Sequence, residues 1–179
     1  TNLTDLAADL TSVKEAHHFY PVLFYFRFPE PRYSVSRISL VALDAASLIT
    51  SALDAERYGW LKESASLTQL QRVSIMLVTT LEDAFLAGGV PDSDEPPTRQ
   101  ALECWRRRYL AGVRRLGQAG IQTTPDELAG AEAYIGLRTH WDRYVTALAP
   151  SMAYSMDEID PAGVRPEVEE HGSVSRMFL

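Results

Sequence analysis

One cysteine, Cys104, stands in 179 residues. That excludes a disulfide framework and a cysteine-based zinc site within one chain. Glycine and proline number only 10 each, which excludes collagen-like and low-complexity chains. Positive charge is also short, 17 basic against 24 acidic residues for a net charge of −7, and this argues against a nucleic-acid-binding domain. No unbroken apolar run reaches the roughly 18 residues of a membrane span. The nearest, Ile38 to Leu53, is interrupted by Asp44 and reads as a buried helix of a soluble chain. No signal peptide leads the sequence. It opens at Thr1 without Met, inside a helical pattern, as a fragment of a longer polypeptide would.

What is present suits an ordinary folded domain, with 46% hydrophobic and 23% charged residues. A chain of this size buries roughly 70% of its unfolded surface and needs no staples. The negative charge is uneven. From Ser151 to Leu179 there are six acids and two bases, whereas the first 150 residues hold 18 acids and 15 bases. The expected organisation is therefore a helical domain over 1–150 and a disordered or extended acidic tail over 151–179.

Helical spacing dominates the pattern and strand signals are nearly absent. Thr4 can cap a first helix reaching about His18. The run Phe19 to Phe28 is apolar on every side, so it must be buried or meet a partner; a short strand is the rival reading. Ser34 or Ser36 starts a second helix with Ile38, Val41, Ala45, Leu48 and Ala52 as its stripe, and Asp54 caps a short turn through Trp60. Ser66 opens a third long helix with Leu70, Val73, Leu77, Leu81 and Phe85 on its apolar face, stopped at Gly88-Gly89. An acidic, proline-rich loop over 90–97 precedes a fourth helix, from Thr98 to about Gln118. Thr124-Pro125-Asp126-Glu127 is the strongest start signal, for a helix closed by Pro150. Five or six helices joined by short loops predict an all-α bundle.

Candidate chemistry is thin. Glu15 and His18 have the i, i+3 spacing of a metal-binding carboxylate–imidazole pair, but no second copy of the motif exists, so no metal is expected. Arg138 and Asp142 read as a surface ion pair, and Cys104 beside Trp105 as a small apolar group. Arg106, Arg107, Arg108, Arg114 and Arg115 read as a solvated face balanced by the acidic loop at Asp92, Asp94 and Glu95, or by the tail; a phosphate or anionic-lipid contact is the rival reading. Asp44, the lone charge of an apolar helix, must pair or protonate if buried, with Arg27, Arg37 or Arg72 as the expected partner. No phosphate loop, nucleophile elbow, zinc-protease or dinucleotide motif appears, so neither catalytic nor cofactor-binding residues are assigned.

The stretch Glu15-x-x-His18-x-Tyr20-Pro21-Val22-Leu23-x-Tyr25-Phe26-Arg27, with Ile38-x-x-Val41-x-Leu43-Asp44-x-Ala46-x-Leu48 after it, resembles the region that follows the pore in bacterial potassium-channel-like proteins. Those are membrane proteins with a two-helix pore module and a long helical cytoplasmic C-terminal part. The resemblance implies a non-enzymatic assembly or gating domain without a cofactor, on the cytoplasmic side of the cell membrane. It implies a homo-oligomer whose pore segment lies upstream in the same polypeptide, with Tyr20, Pro21, Phe24, Tyr25, Arg27 and Asp44 as structural or interaction residues. This sequence itself carries no pore helices and no Thr-x-Gly-Tyr-Gly filter, whose carbonyls replace an ion's hydration shell. The alternative expectation is a small-molecule or metal sensor, using a cavity between helices with Asp44, Glu15 and His18 as its polar groups.

Overall fold

The computed structural model describes residues 2–86 and 96–161. The expected stop at Gly88-Gly89, the acids Asp92, Asp94 and Glu95, and the tail beyond Pro161 lie outside them. Within them the protein is all-α. Helix α1 spans Leu3–Phe19, α2 Val35–Ala52, α3 Ala55–Lys62, α4 Ala65–Phe85, α5 Arg99–Gln118, α6 Glu127–Ser151 and α7 Met156–Ile159. The run 19–28 forms neither strand nor long helix: Pro21–Tyr25 is a 3-10 turn, and Pro31–Tyr33 is another.

Local chemistry accounts for the helix starts. The side chains of Ser34, Asp54, Ser64 and Thr98 each accept from the backbone N–H three residues on, filling one of the donors a helix leaves open. Three starts differ from the sequence reading, one being α4, which Ser64 caps in place of Ser66. Asn2, in a capping box with Asp5, caps α1 in place of Thr4. Asp126 caps α6 in place of Thr124, because Pro125 then falls before the helix. Gly120, at φ 76°, ends α5 where a side chain would be strained.

Helix α2 is the central element, packed most extensively on α6 and also on α4, while α1 lies against α4. A main core draws on α1, α2, α4 and α6, and a smaller one joins Trp105, Tyr109 and Val113 of α5 to Tyr134 of α6 and Ala52 of α2. The expected face of α4 is the buried one, with Leu70, Leu77 and Leu81 inside. The expected face of α2 is not. The helix buries Val35, Leu40, Leu43 and Ala46 together with Ser36, Ser39, Ser47 and Ser51; of the expected stripe Ala52 is buried, but Val41 is 49% exposed and Ile38, Ala45 and Leu48 are half-buried. Small serines let the neighbouring helices approach closely, and those of Ser47 and Ser51 donate to carbonyls one turn back. Helix α2 is also the one described helix long and apolar enough to cross a membrane by length and composition.

The chain reverses direction at the end of α6. Ala153 N–H donates to Pro150 and Tyr154 N–H to Ala149, the paired bonds of a Schellman motif, with Ala153 at φ 60° in the position glycine usually holds. The reversal folds residues 152–160 back onto the bundle, so the bundle runs ten residues beyond the expected boundary at 150. Met152, Tyr154, Ile159 and Asp160 are all buried. A left-handed alanine costs about 1 kcal/mol relative to glycine in such a position. Ala153→Gly is accordingly expected to raise the melting temperature by a few degrees in a calorimetric scan; a lower value would mean that the turn is not strained.

Candidate functional site

Two features stand out: a buried charge cluster at the centre and an exposed aromatic segment at one side. The cluster begins with Asp44, which α2 points towards α5 and α6. Its Oδ2 accepts from Arg108 Nε at 2.8 Å, and its Oδ1 accepts from Arg138 Nη1 at 3.1 Å and from the Tyr134 hydroxyl. Asp160, just after α7, accepts from Arg108 Nη1 and from Arg138 Nη2 at 3.2 Å. Arg138 Nε donates to Asp142 at 2.8 Å. All three nitrogens of Arg138 are thus engaged, and its side chain is 3% exposed. Its guanidinium carbon lies 5.5 Å from the Trp105 ring centroid and 4.9 Å from that of Trp141, adding cation–π contact to the ion pairs. Trp141 in turn donates its indole N–H to Ser47 at 3.2 Å.

This corrects two expectations. Asp44 is paired, but with Arg108 and Arg138 rather than Arg27, Arg37 or Arg72. Arg27 reaches Glu158 at 2.6 Å, Arg37 donates to the Ile159 carbonyl, and Arg72 is exposed. The Arg138–Asp142 pair is not a surface pair, since α6 turns Arg138 inward on the stripe of Tyr134, Trp141 and Val145. A trace of this was present in the sequence: Arg138 is four residues after Tyr134 and three before Trp141, and Arg108 is three after Trp105. Nothing in the sequence pointed to Asp160. The other arginines of the basic run, at 106, 107, 114 and 115, are exposed as expected.

The electrostatics follow from burial. Desolvation holds the Tyr134 phenol well above its ordinary range, and the Asp44 carboxylate beside it acts in the same direction against Arg138. Burial works against charge on Arg138 but is outweighed by Tyr134, Asp142 and Asp44, so the guanidinium stays charged. Asp142 is raised above the usual carboxylate range because its desolvation exceeds what Arg138 and Thr146 return. Its native form therefore holds a proton more tightly than its unfolded form. Its contribution to stability is present below the unfolded value, about 3.8, and is lost as pH rises through the higher folded value. Asp142→Asn is thus expected to become steadily more favourable, relative to the parent, in thermal melts taken from pH 4 to pH 7. A substitution more harmful at pH 7 than at pH 4 would show that the ionised carboxylate is a net stabiliser.

The cluster ties together α2, α5, α6 and the segment after α7, and it borders a cleft of about 310 Å³. Trp105, Arg138, Asp142 and Asp160 line that cleft, with half-buried Cys104 beside them. Asp44, Asp142 and Asp160 already accept from arginines. Among the described residues no group of three or more His, Cys, Asp and Glu side chains is placed to hold a metal ion. Glu15 and His18 lie exposed on α1, whereas Asp44 is inside, so the three do not form a common cavity.

The aromatic segment is the second feature. Phe24 alone is buried, at 1% exposure, stacked on Phe85 of α4 at 4.2 Å between centroids and 11° between planes. Its neighbours face outward: Phe19 is 72% exposed, Tyr25 71%, Tyr20 64% and Phe26 61%. Val22, Phe28 and Tyr33 extend the apolar surface. The segment is nonetheless held firmly. The Tyr154 hydroxyl accepts from Phe28 N–H at 2.7 Å, and Arg27 pairs with Glu158 while lying 5.2 Å from the Tyr154 ring centroid. Glu158, in the capping box of α7, is pulled below the usual carboxylate range by the Ser155 backbone N–H and by Arg27.

The class that these features define is an all-α bundle with a buried charge cluster and an outward-facing aromatic segment. Comparison of the chain with protein-family models, with curated proteins and with solved structures found no match.

Proposed function

We propose that this chain is a non-enzymatic assembly or gating domain that docks through residues 19–33 onto a second copy of itself. The proposed setting is the cytoplasmic side of a potassium-channel-like membrane protein, with the pore in the same polypeptide. The observation that carries the reading is the outward exposure of Phe19, Tyr20, Tyr25 and Phe26 on one anchored segment. Contiguous apolar surface of this kind marks an interaction site more often than it is left open to water. Aromatic side chains with few rotatable bonds, on a backbone already held by Phe24, Arg27 and Phe28, lose little freedom when a partner covers them.

In a channel, such a domain acts by contacts that differ between two arrangements of its subunits, since equal contacts would shift no equilibrium. The buried charge cluster suits this use, because it keeps the helices of each subunit together as a unit while the aromatic face repacks. Sedimentation and light scattering test the reading. The parent chain is expected to self-associate with rising concentration, and Tyr20→Ser/Phe26→Ser, which removes two exposed side chains and spares the ring contacts of Tyr25 with Phe24 and Phe85, to be monomeric with an unchanged melting temperature. A parent chain that stays monomeric at every accessible concentration would overturn the assembly role.

A further inference from the structure

A second apolar surface lies away from that segment, on a face of α2 whose spacing predicts core. Ala45, Leu48 and Ile49 of α2 are only half-buried: Leu48 packs on the smaller core and Ile49 on the main one, and each keeps one side open. With Tyr58, Trp60 and Leu61 of α3, and Gly112 and Leu116 of α5, they line an open groove of about 570 Å³. That volume is within the range of small-molecule sites, about 300–1,000 Å³. One charged side chain lines it, Arg115, and no carboxylate does. Arg115 is exposed and makes no ion pair among the described residues, so its charge is open to a ligand. Trp60 lines the same groove and is 72% exposed, a large apolar side chain left to solvent where a bound chain would cover it.

The groove is held in shape by its surroundings. An isolated antiparallel bridge pairs Leu53 with Thr123, while Thr124 N–H donates to Ala52 and Asp54 N–H to Gln122. These bonds fix the α2–α3 corner against the α5–α6 connection. Gly112 brings α5 close to α2: a Cβ there would meet Leu48 Cδ2 at 3.1 Å. The apolar lining is therefore not an unpacked core that simple collapse would close.

We propose that the groove between α2, α3 and α5 binds an amphipathic monoanion, an unbranched apolar chain ending in a carboxylate or phosphate, with the chain along Leu48, Ile49 and Trp60 and the anionic head on Arg115. The apolar walls contribute affinity in proportion to the area they remove from water and do not distinguish head groups. Arg115 does, because a guanidinium forms paired, charge-assisted bonds with carboxylate or phosphate and repels a cation. The site is independent of the aromatic segment, and its failure leaves the assembly reading untouched.

Decanoate and decyltrimethylammonium, which share a chain and differ in the sign of the head, test the proposal. Trp105 and Trp141 are buried, so the solvent-sensitive tryptophan emission comes from Trp60. Decanoate below its micelle concentration is expected to shift that emission to the blue and to bind about tenfold or more tightly than decyltrimethylammonium, the scale of one charge-assisted hydrogen bond. In Arg115→Gln, whose side chain is exposed and whose melting temperature should match the parent, that preference should fall to about twofold or less. Flotation with phosphatidylglycerol vesicles separates the two sources of such a head group. Binding that depends on Arg115 assigns a membrane lipid, and decanoate binding without flotation assigns a free amphiphile. Equal binding of the two decyl compounds, a preference that survives Arg115→Gln, or a Trp60 shift that follows protein concentration and not decanoate would each overturn the proposal. The last of these would make the groove a contact between two copies.

Discussion

Replacing Arg138 by alanine is expected to lower stability by about 3–5 kcal/mol, the range for breaking one side of a buried ion pair. For a chain of this size that is a fall of about 6–20 °C in melting temperature. The cost arises less from the lost attraction than from what remains: Asp44 and Asp160 are left in the interior with Arg108 as their one counter-charge, and the Tyr134 hydroxyl loses a partner. Arg138→Lys should recover only part of the loss. An ammonium is a single point of charge, whereas Arg138 serves Asp44, Asp142 and Asp160 from three nitrogens between two indole rings. Chemical denaturation of the two variants measures both effects. A loss below about 1 kcal/mol in Arg138→Ala would put the pair in the class of surface salt bridges. The exposed Arg99–Glu103 pair, with side chains 93% and 57% open, is the natural control and should cost next to nothing when broken.

Phe24→Ala carries the second large effect, about 3–5 kcal/mol, as expected when a buried aromatic is cut back and its neighbours close only partly over the space. The consequence is local as well as global. Phe24 is the side chain by which the 3-10 turn grips Phe85 of α4, so the exposed aromatics around it should lose their fixed arrangement. Hydrogen exchange is the discriminating measurement. Amides over 19–28 should exchange much faster in the variant, while those of central α2 slow or quicken only with global stability. If the assembly reading holds, self-association should weaken in the same variant even under conditions where the bundle is folded. Uniform acceleration across the whole chain would show instead that the segment and the bundle unfold as one.

The residues themselves show how far the sequence could be read. Asp54 and Thr98 were recognisable as caps because a cap acts on an N–H three residues away. The face of α4 was recognisable because its leucines repeat at helical spacing against a polar background. Helix α2 offered no such contrast. It is apolar or small on all sides, so spacing did not select a face, and the packing of α4 and α6 chose the one carrying serines. Asp44 stands out in the sequence as a charge that needs a partner if buried, and its partners are Arg108, 64 positions away, and Arg138, 94 positions away. Arg108 sits in a run of arginines whose other members face solvent, so composition concealed the one that turns inward. By composition Asp160 belongs to an acidic tail, and the turn at Ala153 brings it back to the centre.

By itself the sequence determined the helical class, most of the helix limits, the need of the aromatic run to be buried or to meet a partner, and the need of Asp44 for a counter-charge. These follow from forces between residues within one or two turns of each other, or from the cost of burying charge, which is the same in any fold. Only the tertiary structure decided which arginines answer Asp44, which side of α2 is core and which lines a groove, and that a single stacked pair, Phe24 on Phe85, leaves the rest of the aromatic run facing out. Those outcomes depend on which distant surfaces meet, and helix packing selects among faces that are locally equivalent.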